Sequence, residues 1–290
     1  MSFIENEALN RLLKEKEKNK ELQINIINAE ATPYISYDIL DNEEFCTAGM
    51  STRLGGVSKG CFESMNLGFT RGDKKEDVYQ NFVLLGKSAG FTPEDVCLPN
   101  QCHLSNVRVV TEKDRGSGIL TSKIEEPYDA QITNVPGIVL ITYGADCDPL
   151  YFSDSEHKCV GLAHAGWRGT RLNIAEATLK AMKEQYGTEP SKVKAVIGPS
   201  ICQNCYEVSA DVANEFKGYS SKVFRQISEE KFLLNLWQAN KENLLSAGVP
   251  EENIVVSGLC TKCYHELLFS HRYHHDQRGA NAAFIFVKDR

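Results

Sequence analysis

The chain has no stretch approaching the ~20 consecutive apolar residues of a membrane-spanning helix, so a membrane partner is not expected and a soluble protein is. It also lacks positive charge. Its 32 Lys and Arg stand against 39 Asp and Glu, a formal net charge of −7, and the isoelectric point lies near 5.6. Nucleic acid and anionic membranes need a basic footprint, so neither is expected as a partner, and an anionic substrate would need a local cluster of arginines. Met1 to Gln23 are rich in Glu and Lys and lack the apolar core and cleavage site of a secretory signal, which points to a cytoplasmic protein. No Gly/Ser/Pro-rich linker, internal repeat or low-complexity segment interrupts the chain.

Cysteine, by contrast, is plentiful, with ten in 290 residues. In a small secreted domain these would suggest disulfides; in a chain of this length without an export signal they point to free thiols, metal ligands or a nucleophile. A hydrophobic fraction of 42% with 24% charged residues is ordinary for a globular protein. Glu7 to Leu22 mixes Glu, Lys and Asn around few apolar positions. Residues 1–26 are therefore expected as a charged helical extension, either a solvated helix capping the fold or a frayed extension, ahead of a domain over residues 27–290.

From Phe45 onward the pattern is globular. Asn81 to Ala89 has helical spacing that stops at Gly90, whereas Asn106–Thr111, Gly137–Tyr143 and Lys158–Ala163 read as strands. Thr170 is placed to cap a helix through Leu172, Ala175, Leu179, Met182 and Tyr186, ending at Gly187. Val193–Ile197, Ile254–Val256 and Ala283–Val287 supply further strands, and helical patterns lie near Ser209–Phe216 and Glu230–Ala247. The order is not a strict βαβ alternation, so the expected fold is mixed α/β (α+β), with mixed sheets and helices outside.

The chemistry concentrates in Leu162-Ala163-His164-Ala165-Gly166-Trp167-Arg168-Gly169-Thr170, where an imidazole, a glycine-framed turn and a fixed cation share one strand-to-helix junction. Upstream lie Ala145-Asp146-Cys147-Asp148-Pro149 and Gln101-Cys102-His103. His103, Cys147 and His164 can act as three ligands of one zinc with a fourth position open. The same donors suit copper, and scattered His and Cys are also common as plain core or surface residues. An open zinc site lowers the pKa of a bound water toward neutrality. Asp146 and Asp148 are candidate proton carriers or orienting partners, or simply end a strand. Arg53 and Arg168, beside glycines, are candidates for gripping an anion, or for structural ion pairs. Trp167 stacks on a planar ring or packs in the core.

Cys202-x-x-Cys205 and Cys260-x-x-Cys263 resemble the two knuckles of a structural zinc site, although their separation is longer than usual; each pair reads equally as reduced thiols near a turn. His271, His274 and His275 with Arg272 form a lid or a solvated loop. Three rival functions use these residues differently. One is a hydrolase in which Cys147 is the nucleophile, His164 its base, and Asp146 or Gln101 the orienting group. Another is a binding module that zinc only stabilises. The third, copper-dependent phenol oxidation (laccase), needs several coppers and usually more than the seven histidines present.

A set of segments in order gives the chain a family resemblance: Ser51-Thr52-Arg53 with Gly55-Gly56-Val57-Ser58, Asn66-Leu67-Gly68, Gln101-x-His103, Ala145-Asp146-Cys147, Ala163 through Gly169, Gly198-Pro199-x-Ile201 with Tyr206-Glu207-Val208, and Asn281-Ala282-Ala283-Phe284-Ile285. From about Phe45 to the C-terminus it resembles the laccase-domain family, once called multicopper polyphenol oxidases and now assigned as zinc-dependent purine nucleoside phosphorylases. The resemblance implies a single-domain α/β/β/α architecture and one catalytic zinc on His103, Cys147 and His164. It implies phosphorolysis of adenosine, inosine, guanosine and S-methyl-5′-thioadenosine with inorganic phosphate, and deamination of adenosine to inosine. Carried onto that chemistry, Asp146 is the candidate proton shuttle, and Arg53, Asn66 and Arg168 are the candidate substrate contacts. The chain departs from the family pattern at Leu104, where glycine is usual, at Asp148, where a hydrophobic residue is usual, and in the less arginine-rich segment Ser270 to Gly279.

Overall fold

The computed structural model describes residues 6–28 and 31–289. Two six-stranded sheets lie face to face. One runs Asn25–Ile27, Tyr34–Ser36, Cys46–Ser51, Asn281–Val287, Val139–Gly144, Val96–Cys97, and the other Ile254–Val256, Lys194–Ile197, Asp148–Asp154, Cys159–Ala165, Ala130–Thr133, Val107–Val109. Both sheets mix parallel with antiparallel neighbours.

The layering follows from where the apolar residues fall. Ile35, Ala48, Leu140 and Ile285 of the first sheet meet Tyr151, Val160, Leu162 and Val196 of the second in one buried cluster. On the outer face of the first sheet, Phe82 and Leu85 of the helix Lys75–Ala89 pack with Val139, Ile141 and Phe284. On the outer face of the second, Leu179 and Met182 of the helix Ile174–Tyr186 and Leu244 of the helix Leu236–Ser246 pack with Leu150, Phe152 and Ala195. The result is an α/β/β/α stack. Strands sandwiched in this way are apolar on both faces, and Asp148–Asp154 and Cys159–Ala165 are buried along their whole length.

Several local expectations need correction. Thr170 does not cap the helix that follows Gly169. A short helix, Trp167–Arg171, ends first; the chain then turns at Asn173, whose left-handed backbone and side chain accepting from Glu176 N start the helix Ile174–Tyr186. Leu172 is consequently exposed in the break rather than on the apolar face. The pattern over Glu230–Ala247 divides into a strand, Lys231–Leu234, and a helix, Leu236–Ser246. That strand is the middle of a small three-stranded sheet with Glu207–Ser209 and Phe224–Gln226. The helix ending before Gly90 starts at Lys75, six positions ahead of the expected Asn81, and stops at Gly90, whose φ of 88° lets its N–H cap the last turn.

The charged N-terminal segment forms the helix Glu7–Lys18, capped by the Asn6 side chain. Its few apolar residues are decisive: Ala8, Leu9 and Leu12 join the buried cluster between the sheets. Arg11 pairs with Glu266 at 3.0 Å and lies over the Tyr264 ring, whose hydroxyl meets Glu15. Leu12→Ala is expected to destabilise the folded protein by about 2–5 kcal/mol, the range for emptying a buried leucine site. Urea unfolding measures this, and a cost near zero would mean that residues 1–26 are separable from the domain.

Candidate metal centre

His164 is the penultimate residue of the strand Cys159–Ala165, paired with Pro149 on one side. On the other side its backbone N–H donates to Asp129 O at 2.7 Å. Its Nδ1 lies 2.9 Å from Asp129 Oδ1, with both side chains buried. Nearby groups hold the Asp129 carboxyl below its ordinary value: burial pushes it up, but the hydrogen bond from His164 and the N–H groups of Leu104 and Cys102 outweigh burial. An ionised carboxylate only accepts, so Nδ1 carries a proton and Nε2 is the ring nitrogen left to face Cys147 or a metal.

The same carboxylate builds the second arm of the site. It accepts the backbone N–H groups of Cys102 at 3.0 Å, His103 at 3.0 Å and Leu104 at 2.8 Å. This holds the turn in which His103 adopts a φ of 61° and brings its ring centroid 4.8 Å from that of His164. Gln101 fastens the turn to the other sheet, accepting from Tyr143 N at 2.7 Å and donating to Tyr143 O at 2.9 Å.

Cys147 is the third arm. It stands in the turn between Val139–Gly144 of one sheet and Asp148–Asp154 of the other. The donor atoms of His103, Cys147 and His164 all lie within 4.8 Å of one another. Burial pushes the Cys147 thiol up, but the charge of His164 and hydrogen bonds with both imidazoles bring it down to about 6; His164 in turn rises to about 10, the thiolate and Asp129 outweighing its burial. A thiolate and two imidazoles suit zinc and other late divalent metals. Space is reserved for the donors as well. A Cβ at Gly166 would lie 3.0 Å from Cys147 Sγ and 3.2 Å from the His103 ring, so a side chain there would crowd two of the three ligands.

The other expected site residues fall differently. Asp146 is turned away, its carboxylate accepting from Thr261 Oγ1 at 2.6 Å and Arg272 N at 2.6 Å, so it shapes the Cys147 turn. Asp148 is fully buried, and burial pushes its carboxyl up to about 7, with Asn240 Nδ2 donating to it at 2.8 Å. Arg53 is engaged with the carbonyls of Glu63 and His265, the ring of His274 and the face of Phe269. Asn66 is wholly buried, and its Oδ1 holds Gly68 N and Ala280 N at 2.9 Å each. Arg168 stacks on Trp167, its guanidinium carbon 4.4 Å from the ring centroid, and Trp167 packs against the small third sheet's core. None of Arg53, Asn66 and Arg168 lines the cavity that opens beside the three ligands.

That cavity, about 490 Å³, is walled by Phe69, Leu98 and Tyr143 and carries the cations Arg71, Lys123 and Arg278 together with His271. Its size is that of a small-molecule site. Neither Asp129 nor the cavity arginines stand out in the sequence, because an acid at a strand start and an arginine in a C-terminal loop have no distinctive local pattern.

Comparison with known proteins gives the chain its relatives. The profile of the family described as multi-copper polyphenol oxidoreductase laccase matches residues 47–288. The chain is 37% identical over 243 residues to the purine nucleoside phosphorylase YlmD of Geobacillus stearothermophilus, covering 82% of this chain and 89% of that protein. It is 36% identical over 243 residues to the adenosine deaminase RL5 of an unknown prokaryotic organism, covering 82% and 91%. The crystal structure of YlmD from Geobacillus stearothermophilus superposes with a TM-score of 0.85 at 34% identity, over 91% of this chain and 99% of that one.

Asp129→Asn is expected to weaken metal binding about 10- to 100-fold, as loss of an orienting carboxylate does elsewhere. Competition with a chromophoric chelator measures it; unchanged affinity would mean that His164 is oriented by another group.

Proposed function

The chain belongs to the multi-copper polyphenol oxidoreductase laccase family, and from that membership and the cavity beside the three ligands we propose that it is a zinc-dependent purine nucleoside phosphorylase. Its substrates are adenosine, inosine, guanosine and S-methyl-5′-thioadenosine with inorganic phosphate, and it also deaminates adenosine to inosine. The two reaction types rest on the names of its relatives. The observation that carries phosphate to this chain is Arg278. Its guanidinium is buried, Nη1 donates to Gly279 O at 2.9 Å, Nε has no hydrogen-bond partner, and no carboxylate among the described residues reaches ion-pair distance. Burial and the neighbouring Arg71 pull it down to about 10. An unpaired buried cation is costly, and a phosphate accepting paired hydrogen bonds relieves that cost.

His103, Cys147 and His164 are the residues that would hold the zinc. When bound there, zinc supplies a Lewis acid and lowers the pKa of a water toward neutrality, which is the nucleophile deamination requires. The chain's own residues supply the rest. Phe69 and Leu98 form an apolar wall against which a purine can lie with water excluded. Arg278 and Arg71 hold phosphate so that one of its oxygens bonds to the anomeric carbon as the glycosidic carbon–nitrogen bond breaks. His271 has no side-chain hydrogen bond among the described residues and lines the cavity, so it replaces Asp146 as the group placed to give the departing base its proton.

A second reading draws on the lowered Cys147 thiol and raised His164, the pattern of a cysteine nucleophile paired with its base. Chelation separates the two, since such a hydrolase survives it. Copper-dependent oxidation is disfavoured because, among the described residues, only one metal-capable cluster contains histidine.

Assayed with adenosine and inosine, with and without phosphate, Cys147→Ala and His164→Ala are expected to lose the metal and both activities together. Metal-free variants that still release hypoxanthine from inosine and phosphate would refute the proposal. Arg278→Ala is expected to raise the KM for phosphate about ten- to hundredfold, in line with one charge-assisted contact, while deamination, which needs no phosphate, is retained. Equal loss of both would assign Arg278 to the fold instead.

A further inference from the structure

The strands Lys194–Ile197 and Ile254–Val256 are parallel neighbours, pairing Ala195 with Ile254 and Ile197 with Val256. They leave the sheet at the same end, and each is followed by a Cys-x-x-Cys segment. The pairing continues past the strands: Ser200 N donates to Leu259 O at 3.2 Å and Thr261 N to Ser200 O at 3.0 Å. Two knuckles 58 residues apart in sequence are thereby set against each other. The long separation that weakens the sequence pattern is bridged by the sheet.

From this juxtaposition we infer that Cys202, Cys205, Cys260 and Cys263 hold a second zinc ion, in a closed tetrathiolate site distinct from the His103, Cys147 and His164 centre. The four sulfurs lie within 4.8 Å of one another, and Cys205 Sγ is 3.6 Å from Cys263 Sγ. Zinc–sulfur bonds of about 2.3 Å in a tetrahedron put neighbouring sulfurs about 3.8 Å apart, so these atoms need move little to close on an ion. Cys260 Sγ accepts the backbone N–H groups of Cys202 at 3.3 Å and Cys263 at 3.5 Å, which stabilises negative charge on sulfur. All four thiols are free, and soft thiolates select zinc over magnesium or calcium.

With four protein ligands no position remains for substrate, so the ion is structural. Its effect nonetheless reaches the first centre. Ile201, next to Cys202, donates its N–H to Asp146 O at 3.0 Å, and Thr261, next to Cys260, donates its hydroxyl to Asp146 Oδ1 at 2.6 Å. A zinc clamping the two knuckles fixes two of the three donors that hold the turn carrying Cys147, the third being Arg272 N.

Elemental analysis of the full chain, purified under reducing conditions without added metal, tests this independently of nucleoside turnover. Wild type is expected to carry two zinc equivalents. Cys205→Ser with Cys263→Ser should keep one, with a lower Tm, and Cys147→Ala should keep the other. Should the double variant not fold, cobalt-loaded Cys147→Ala still reports, because its remaining site must give the intense sulfur-to-cobalt charge transfer of a four-thiolate tetrahedron. A single equivalent in wild type that vanishes entirely in Cys147→Ala, or alkylation of the four cysteines in the metal-loaded protein as fast as the exposed Cys61, would overturn the inference.

Discussion

One buried carboxylate organises the candidate metal centre of this protein. Asp129 accepts an imidazole N–H and three consecutive backbone N–H groups, and each such bond to a charged acceptor contributes about 1.5–3 kcal/mol. Burying a negative charge is costly, and these four donors offset the cost. They also fix the tautomer of His164 and the shape of the His103 turn. Without Asp129 the two histidines would lose their shared acceptor, and the His103 turn would be held by Gln101 on one side only.

The glycines near the centre are explained by space more than by conformational freedom. Gly166 has an ordinary backbone and is there because a methyl group would press on a sulfur and an imidazole at once. Cys147 needs its own support, since the chain crosses from one sheet to the other at that point. Asp146, with a φ of 99°, is the hinge of the crossing, pinned by Thr261 and Arg272 N. The carboxylate singled out in the sequence as a proton carrier thus braces the turn of Cys147.

The metal-capable cluster and much of the fold were legible in the sequence because they rest on local signals. His103, Cys147 and His164 are chemically distinctive residues beside turns, and the buried strands and the Gly90 and Gly187 helix ends follow period and cap chemistry. What was not legible depends on partners far along the chain. Asp129 gains its importance from residues 25 to 35 positions away on either side. Arg53 and Arg278 look alike as isolated letters, yet one is saturated by carbonyls and an imidazole, while the other keeps a buried Nε with no hydrogen-bond partner among the described residues. Likewise, the N-terminal helix reads as solvated by its charge fraction, while three apolar residues decide where it sits.

The three ligands are drawn from both layers of the stack: His164 from one sheet, Cys147 from the crossing between the two, and His103 from a turn tied to one sheet by Asp129 and to the other by Gln101. They converge only after the sheets have stacked in their final register. A metal held there would join the two layers across their seam, so whatever shifts one layer relative to the other would also change the spacing of its three donors.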